Sequence, residues 1–226
     1  METVVKTTKD KIIATKSIPM YQALTINEII AKTAQHPRTH IAEHNRAAVL
    51  IPLLDIAGEL FVLFEIRNAR ITQGGDICFP GGKIEPGETP EEAAVRETSE
   101  ELLIHPQDID ILAPMHVIEG PRSIEVTSYL GQLHNYKATY APDEIDHIII
   151  QPLSFFMETE PVIWHTRQNT EVNADLPEDL RKFTEDKWTG APRDYYFYRT
   201  ERGIIWGLTA KVMYYFVKCL KEKKGR

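Results

Sequence analysis

Apolar and polar positions alternate in short blocks along most of this chain. Residues 47–56 (AAVLIPLLDI) form an apolar run of strand length. Ala57-Gly58 then turns the chain into a second such run at 60–66 (LFVLFEI), a hairpin pattern. Further strands are predicted at 109–117, 126–133, 146–150, near 162–166, and in the aromatic block 195–198. Helical spacing predicts a short helix at 25–34, capped by Thr25 or Asn27 and ended by Pro37. It also predicts a central helix from Thr89 to about Leu103, a helical turn at 152–157 and an amphipathic C-terminal helix at 206–223. Strands interrupted by one central and one terminal helix predict an α/β sandwich with a mixed sheet, not an alternating βαβ array.

Residues 1–25 are polar and mixed, which reads as an extension or a short hairpin before a single domain over 26–226. Residues 167–193 are polar, with Pro177, Gly190 and Pro192. They read as a long excursion, open to use as a lid or as a contact between copies, a homodimer being the simplest such assembly. With 42% apolar and 26% charged residues in 226, the chain is long enough to bury one full core.

The net charge of −7 excludes nucleic acid or an acidic membrane as the main partner, since phosphate backbones need a basic surface. A small anionic substrate stays open, provided a divalent metal and a few local cations supply positive charge. Two cysteines, Cys78 and Cys219, lie far apart, so neither a disulfide framework nor a thiolate zinc site is expected. The start METVVKTTKDKIIATK lacks a signal-peptide core, and no run approaches the roughly 20 apolar residues of a membrane span. The end KKGR carries no peroxisomal or lipidation signal, so the cytoplasm is the expected compartment.

Residues 82–104, GKIEPGETPEEAAVRETSEELLI, carry the chemistry. Thr89 at the N-cap, Pro90 at N1 and Glu92 at N3 form a capping box that starts the central helix. Val95, Thr98 and Leu102 share the side suited to a sheet, and Glu97, Glu100 and Glu101 share the other. An acidic helical face is ordinarily just solvated. Here it follows the turn Pro80-Gly81-Gly82 and the extended Lys83-Ile84-Glu85, so backbone carbonyls reach the same place. Hard oxygen donors of this kind suit Mg²⁺ or Mn²⁺, ions that bridge phosphates and activate water.

The segment resembles the Nudix box, G-x5-E-x7-R-E-U-x-E-E-x-G-U with U aliphatic. Gly82, Glu88, Arg96, Glu97, Glu100, Glu101 and Ile104 fall at its positions, while Thr98 stands at an aliphatic position and Leu103 replaces the late glycine. Leucine there makes a left-handed helix exit less easy but removes no ligand. The resemblance implies an α/β/α sandwich with a mixed sheet and a hydrolase for phosphoric anhydrides. It makes Glu97, Glu100 and Glu101 metal ligands, one of them also a base, with the Gly82 carbonyl added. Arg96 would complete the catalytic set by orienting the glutamates, paired with Glu88. A further acid from outside the box would be Glu144 or Asp146.

Flanking segments resemble the coenzyme A pyrophosphatase branch of that family: RAAVLIPL, GGDICFPGGK, DEIDHIIIQPLSFF and IIWGLTAKVM. The implied substrate is a nucleoside diphosphate derivative, coenzyme A or an acyl-coenzyme A, with Arg67, Arg70 and Lys83 as the cations that bind it. The stretch LFEIRNARITQGGDICFPGG departs from the branch's pattern, being one residue shorter, with Asn68 for serine and Ile71 for the second arginine. An ADP-ribose or nucleotide-sugar pyrophosphatase is the alternative enzyme. A non-catalytic Nudix fold used as a ligand sensor is the alternative of another class, though such forms lose box glutamates and none is missing here. His36, His40 and His44 recur every four residues, but Pro37 breaks the helix that would align them. Tyr195, Tyr196, Phe197 and Tyr198 read as a half-buried strand before an adenine stack, Cys78 as a structural thiol, and the basic end 218–226 as a solvated helix terminus.

Overall fold

The computed structural model describes residues 3–6, 11–14, 46–70, 73–120, 124–169 and 189–222. The chain divides into two compact units, Met1–Glu43 and His44–Arg226. In the first, β1 (Thr3–Lys6) and β2 (Lys11–Ala14) pair antiparallel as a hairpin. The helix expected at 25–34, the division at residue 25 and the three spaced histidines lie outside the described residues.

The second unit is built on a seven-stranded mixed sheet. β3 (Arg46–Ile56) and β4 (Glu59–Arg67) form the expected hairpin, Leu53 to Ile56 pairing with Val62 to Glu59. β8 (Glu125–Leu133) runs parallel to β3 along its other edge, β7 (Ile109–Glu119) follows β8, and β9 (Ile145–Pro152) pairs with β4. Ala48 pairs with Thr127 of β8 and with Gly82 of β6 (Gly81–Lys83), while Glu65 pairs with Ile148 of β9 and with Cys78 of β5 (Ile77–Cys78). A strand has only two edges, so β5 and β6 lie between β3 and β4 where the hairpin arms part. The Pro80-Gly81-Gly82 turn is thereby held inside the sheet, one layer beneath the central helix α1 (Pro90–Leu102).

Side chains alternate between two cores, as the two-residue period requires. Ala48, Leu50, Leu63, Tyr129, Leu133 and Ile145 pack with Ala93, Ala94 and Leu102 of α1 on one face. Ile51, Leu53, Val62 and Phe64 face the other way, toward Phe156 of α2 (Leu153–Glu158) and Met213 and Phe216 of α3 (Gly207–Lys221). Phe64 stacks on Phe79 at 4.9 Å and meets Phe156 at 5.8 Å, burial that contributes about 1.5–3 kcal/mol for such a ring. β10 (Val162–Asn169), β11 (Thr189–Thr200) and β12 (Gly203–Trp206) make a separate three-stranded sheet on this second face. Helices on both faces of a mixed sheet make this the expected α/β/α sandwich.

Two local expectations change. The excursion at 167–193 is strand at both ends, because β10 and β11 pair as far out as Asn169 with Thr189. Leu103 does take the left-handed C-cap, at φ 50° and ψ 44°, its N–H donating to the Ser99 carbonyl. A residue with a Cβ pays a steric cost there, and Leu103 is 58% exposed, so its side chain returns little burial. Leu103→Gly should therefore raise unfolding free energy by about 0.5–1 kcal/mol in urea denaturation, after the flexibility that glycine adds to the unfolded chain. A loss of stability would show that the cap carries no such strain.

Candidate active site

The capping box is formed as read: Thr89 Oγ1 accepts from Glu92 N–H at 3.2 Å, and Glu92 Oε2 accepts from Thr89 N–H at 2.8 Å. It fixes the start of α1, and with it the rotation that presents the acidic residues to the Gly81-Gly82 turn.

Arg96 is the organising cation. Its Nε and Nη2 donate to the two oxygens of Glu88 at 2.8 and 3.0 Å, a bidentate fork. Nη1 donates to Glu97 Oε1 at 2.8 Å and to Glu100 Oε2 at 3.3 Å, and Nη2 also reaches the Lys83 carbonyl at 3.1 Å. One guanidinium thus ties the loop before the helix, the strand β6 and two of the three glutamates. These hydrogen bonds, and the one from Glu85 N–H, hold the Glu88 carboxyl below the usual carboxylate range.

The three glutamates do not share one solvated face. Glu100 is 63% exposed, Glu97 is half-buried against Gly82, and Glu101 is 3% exposed. The reason is helical phase: Glu101 stands seven residues after Ala94, on the stripe that faces the sheet. There its Oε2 accepts from Gly81 N–H at 2.8 Å. Gly81 is sterically required: at φ 144° a Cβ there would lie 2.3 Å from the Ala48 carbonyl oxygen. A Cβ on Gly82 would lie 2.5 Å from the Glu97 carboxyl carbon and would push that side chain off the turn.

Glu65 is the residue that the motif did not supply. It lies on β4 in phase with Leu63, on the α1 side, and is 1% exposed. Cys78 Sγ donates to its Oε1 at 3.2 Å, while Oε2 has no hydrogen-bond partner among the described residues. Burial pushes Glu101 up to about 9, with the Glu65 charge next in importance, and pushes Glu65 up to about 7. Glu144 adds to both effects and so lies near the pair, whereas Asp146 is engaged by His147 Nδ1 at 2.8 Å. Cys78, half-buried beside Glu65, is held well above the usual thiol range by desolvation and the Glu65 charge, as suits a structural thiol. A lone acid in an apolar run, in phase with core positions, is the signal by which Glu65 could have been found.

Among the described residues no three acidic, histidine or cysteine side chains converge as a ready-made coordination set. The donor chemistry nevertheless fits a divalent cation. Glu97 and Glu101 meet adjacent residues of one turn, and two carboxylates are buried together with one oxygen unpartnered, a charge deficit that a hard cation offsets. The oxygens that could hold it are those of Glu97, Glu100, Glu101 and the Gly82 carbonyl.

A cavity of about 340 Å³ opens beside this cluster, sharing Gly81 with it. Its walls include Arg67, Tyr195, Trp206, Arg193 and Lys211, and Trp206 Nε1 donates to Asp76 Oδ1 at 3.1 Å. Arg67 lines this cavity; Arg70 and Lys83, exposed on either side of the turn, are not among its walls. Arg193, Trp206 and Lys211 come from β11, β12 and α3, 89 to 107 residues after the end of the motif; Trp206 and Lys211 fall within the flanking segment IIWGLTAKVM, but the sequence did not single out these side chains.

The NUDIX domain family model matches residues 44–187. The chain is 32% identical over 135 residues to the mouse peroxisomal coenzyme A diphosphatase NUDT7, covering 58% of this chain and 56% of that protein. It is 32% identical over 120 residues to the human mitochondrial coenzyme A diphosphatase NUDT8, covering 50% and 51%. It is 28% identical to Nudix hydrolase 3 of Caenorhabditis elegans over 190 residues, 80% of this chain and 76% of that one. The matches thus span about half the length of the two named coenzyme A diphosphatases. Among solved structures, a C. elegans Ap4A hydrolase in a binary complex matches with TM-score 0.43 at 24% identity, covering 48% of this chain and 80% of that one.

Proposed function

This chain belongs to the Nudix family, and from that premise we propose that it hydrolyses the diphosphate bond of a nucleoside diphosphate derivative with Mg²⁺ or Mn²⁺. The observation that carries this reading is the Arg96 clamp, which holds Glu97 at Gly82 while Gly81 N–H, beside a cavity that Gly81 also lines, holds Glu101. Glu97, Glu100, Glu101 and the Gly82 carbonyl are the proposed metal ligands, with Glu144 as the further acid from outside the box.

When bound, the cation supplies Lewis-acid neutralisation of the diphosphate and lowers the pKa of a bound water. The chain's own groups do the rest. Arg96 keeps Glu97 from swinging toward solvent, and its fork to Glu88 fixes the guanidinium itself. One of the box carboxylates takes up the proton of the attacking water. Arg67, which lines the cavity, is the proposed substrate cation, joined by Arg193 and Lys211 among the cavity's other walls. The face of Trp206 suits a planar base or an amide chain.

Coenzyme A or an acyl-coenzyme A is the proposed substrate, cleaved to adenosine 3′,5′-bisphosphate and phosphopantetheine or its acyl form. The names of the mouse and human relatives support it, and so do the flanking segments. ADP-ribose and nucleotide sugars are the alternative substrates. A non-catalytic sensor is disfavoured because every box glutamate is present. The proposed compartment is the cytoplasm, whose reducing conditions suit the free Cys78 and Cys219; no helix among the described residues is long and apolar enough to cross a membrane.

A substrate panel tests this. Coenzyme A, acetyl-coenzyme A, ADP-ribose, NADH, diadenosine polyphosphates and nucleoside triphosphates are incubated with the protein and Mg²⁺ or Mn²⁺, and products are weighed by mass spectrometry. Coenzyme A compounds should be cleaved most efficiently. Arg67→Ala and Lys211→Ala should lower their kcat/KM at least about tenfold more than that for ADP-ribose, since a charge-assisted bond to the extra 3′-phosphate is worth about 1.5–3 kcal/mol. Preferential cleavage of ADP-ribose would sink the coenzyme A reading and leave the Nudix chemistry standing.

A further inference from the structure

Glu65 is placed where an ordinary strand would carry an apolar side chain. Its neighbours in phase on β4 and β9, Leu63 and Ile148, belong to the core under α1. A carboxylate sealed there has two remedies: a full set of hydrogen-bond donors or a compensating positive charge. The donor set is incomplete, since Cys78 Sγ serves Oε1 alone and Oε2 has no partner. Glu65 rises from β4 on the α1 side and Glu101 descends from α1 to Gly81, so both buried carboxyls occupy the layer between sheet and helix, and among charged groups Glu65 affects Glu101 most. Arg67, two residues along the strand and itself engaged, tempers the Glu65 charge less than the thiol does and much less than burial opposes it. The unmet demand at Oε2 is therefore for a cation on the side of Glu101 and Glu97.

We propose that Glu65 is an additional carboxylate of the metal site, rising from the sheet so that Oε2 joins the coordination of the divalent cation held by Glu97 and Glu101. This rests on the metal-dependent reading above and extends it to a residue outside the box. Glu65 would close the site from beneath, opposite the solvent-facing Glu100, and the Cys78 thiol would orient it by holding Oε1. The same contact gives the half-buried Cys78 thiol beside the motif a structural task.

The test measures metal binding without substrate. Mn²⁺ is titrated into the full-length protein and free Mn²⁺ is followed by electron paramagnetic resonance, for wild type, Glu97→Gln and Glu65→Gln. Melting temperatures are recorded with and without the ion. Glu97→Gln should weaken Mn²⁺ binding if the box holds the metal. Glu65→Gln should weaken it about 10–100-fold, the size of effect typical of groups that complete a metal site. Its metal-free melting temperature should equal or exceed that of wild type, because an unpartnered buried charge has been removed; a purely structural role would lower it. Mn²⁺ affinity unchanged in Glu65→Gln, but lost in Glu97→Gln, overturns the inference and leaves the metal reading intact. A wild-type protein that binds no Mn²⁺ overturns both. If Glu65→Gln does not fold, Glu65→Asp replaces it, since a carboxyl withdrawn by one methylene should also weaken Mn²⁺ binding. Wild-type affinity in that variant overturns the inference equally.

Discussion

A double substitution, Glu97→Gln with Glu101→Gln, should lower the rate of diphosphate hydrolysis by about three orders of magnitude while the protein remains folded. The loss corresponds to the several kcal/mol of transition-state stabilisation that a Lewis acid supplies, at about 1.4 kcal/mol per decade of rate. Glutamine preserves shape and one acceptor oxygen at each position. Arg96 Nη1 can still donate to residue 97, and Gly81 N–H to residue 101. Glu97→Gln takes a negative charge out of a place already crowded with carboxylates, and Glu101, pushed up to about 9, is protonated near neutral pH without metal, so the apo protein has no electrostatic reason to unfold. Glu101 is buried, however, and its replacement must be checked for folding in a way that an exposed glutamate would not require. Circular dichroism melting alongside product mass spectrometry gives both answers. Wild-type turnover in a folded double variant would remove these residues from the chemistry.

Arg96→Lys should be nearly as damaging as removing the charge altogether, lowering kcat by about 10–100-fold with little change in KM. A lysine ammonium is a point charge on a flexible stem, whereas the guanidinium makes five contacts at fixed angles. Lysine could reach Glu88 or Glu97 but could not bridge both and the Lys83 carbonyl together. Positive charge is conserved, so the experiment isolates geometry from electrostatics. An effect confined to KM would mean that Arg96 binds substrate directly and does not position Glu97. A variant with unchanged kcat and KM would dissolve the clamp as a functional unit.

Strand and helix boundaries were largely legible. The hairpin of β3 and β4, the two later strands β7 and β8 and the helix α3 lie within a few residues of their sequence-based limits. Each depends on a period of 2.0 or 3.6 residues and on local punctuation such as Ala57-Gly58 or Thr89-Pro90. The Glu88–Arg96 pairing was legible as well, being carried by a turn and one helix within nine residues. The phase of Glu101 was misread from the same information. Taking Val95, Thr98 and Leu102 as the buried stripe overlooked Ala93 and Ala94, whose small side chains let the helix approach the sheet closely. Leu103 was read as an obstacle to a left-handed cap, yet the Ser99 carbonyl and the following Ile104, packed into the core, hold it there.

By itself the sequence determined the acidic helix, its capped start, the glycine turn before it and the family to which that arrangement belongs. All of these are set by residues close together in the chain, where covalent spacing leaves few geometries. Only the tertiary structure decided that Glu65 and Glu101 are buried in the same layer between sheet and helix, that Asp146 is engaged by His147, and that Arg67 shares a cavity with Trp206 and Lys211. The first and last of those encounters close loops of tens to more than a hundred residues. They depend on β5 and β6 entering between β3 and β4, and on the small sheet and α3 covering the far face. Local periodicity says which way a side chain points from its strand, but not which strand or helix stands opposite it.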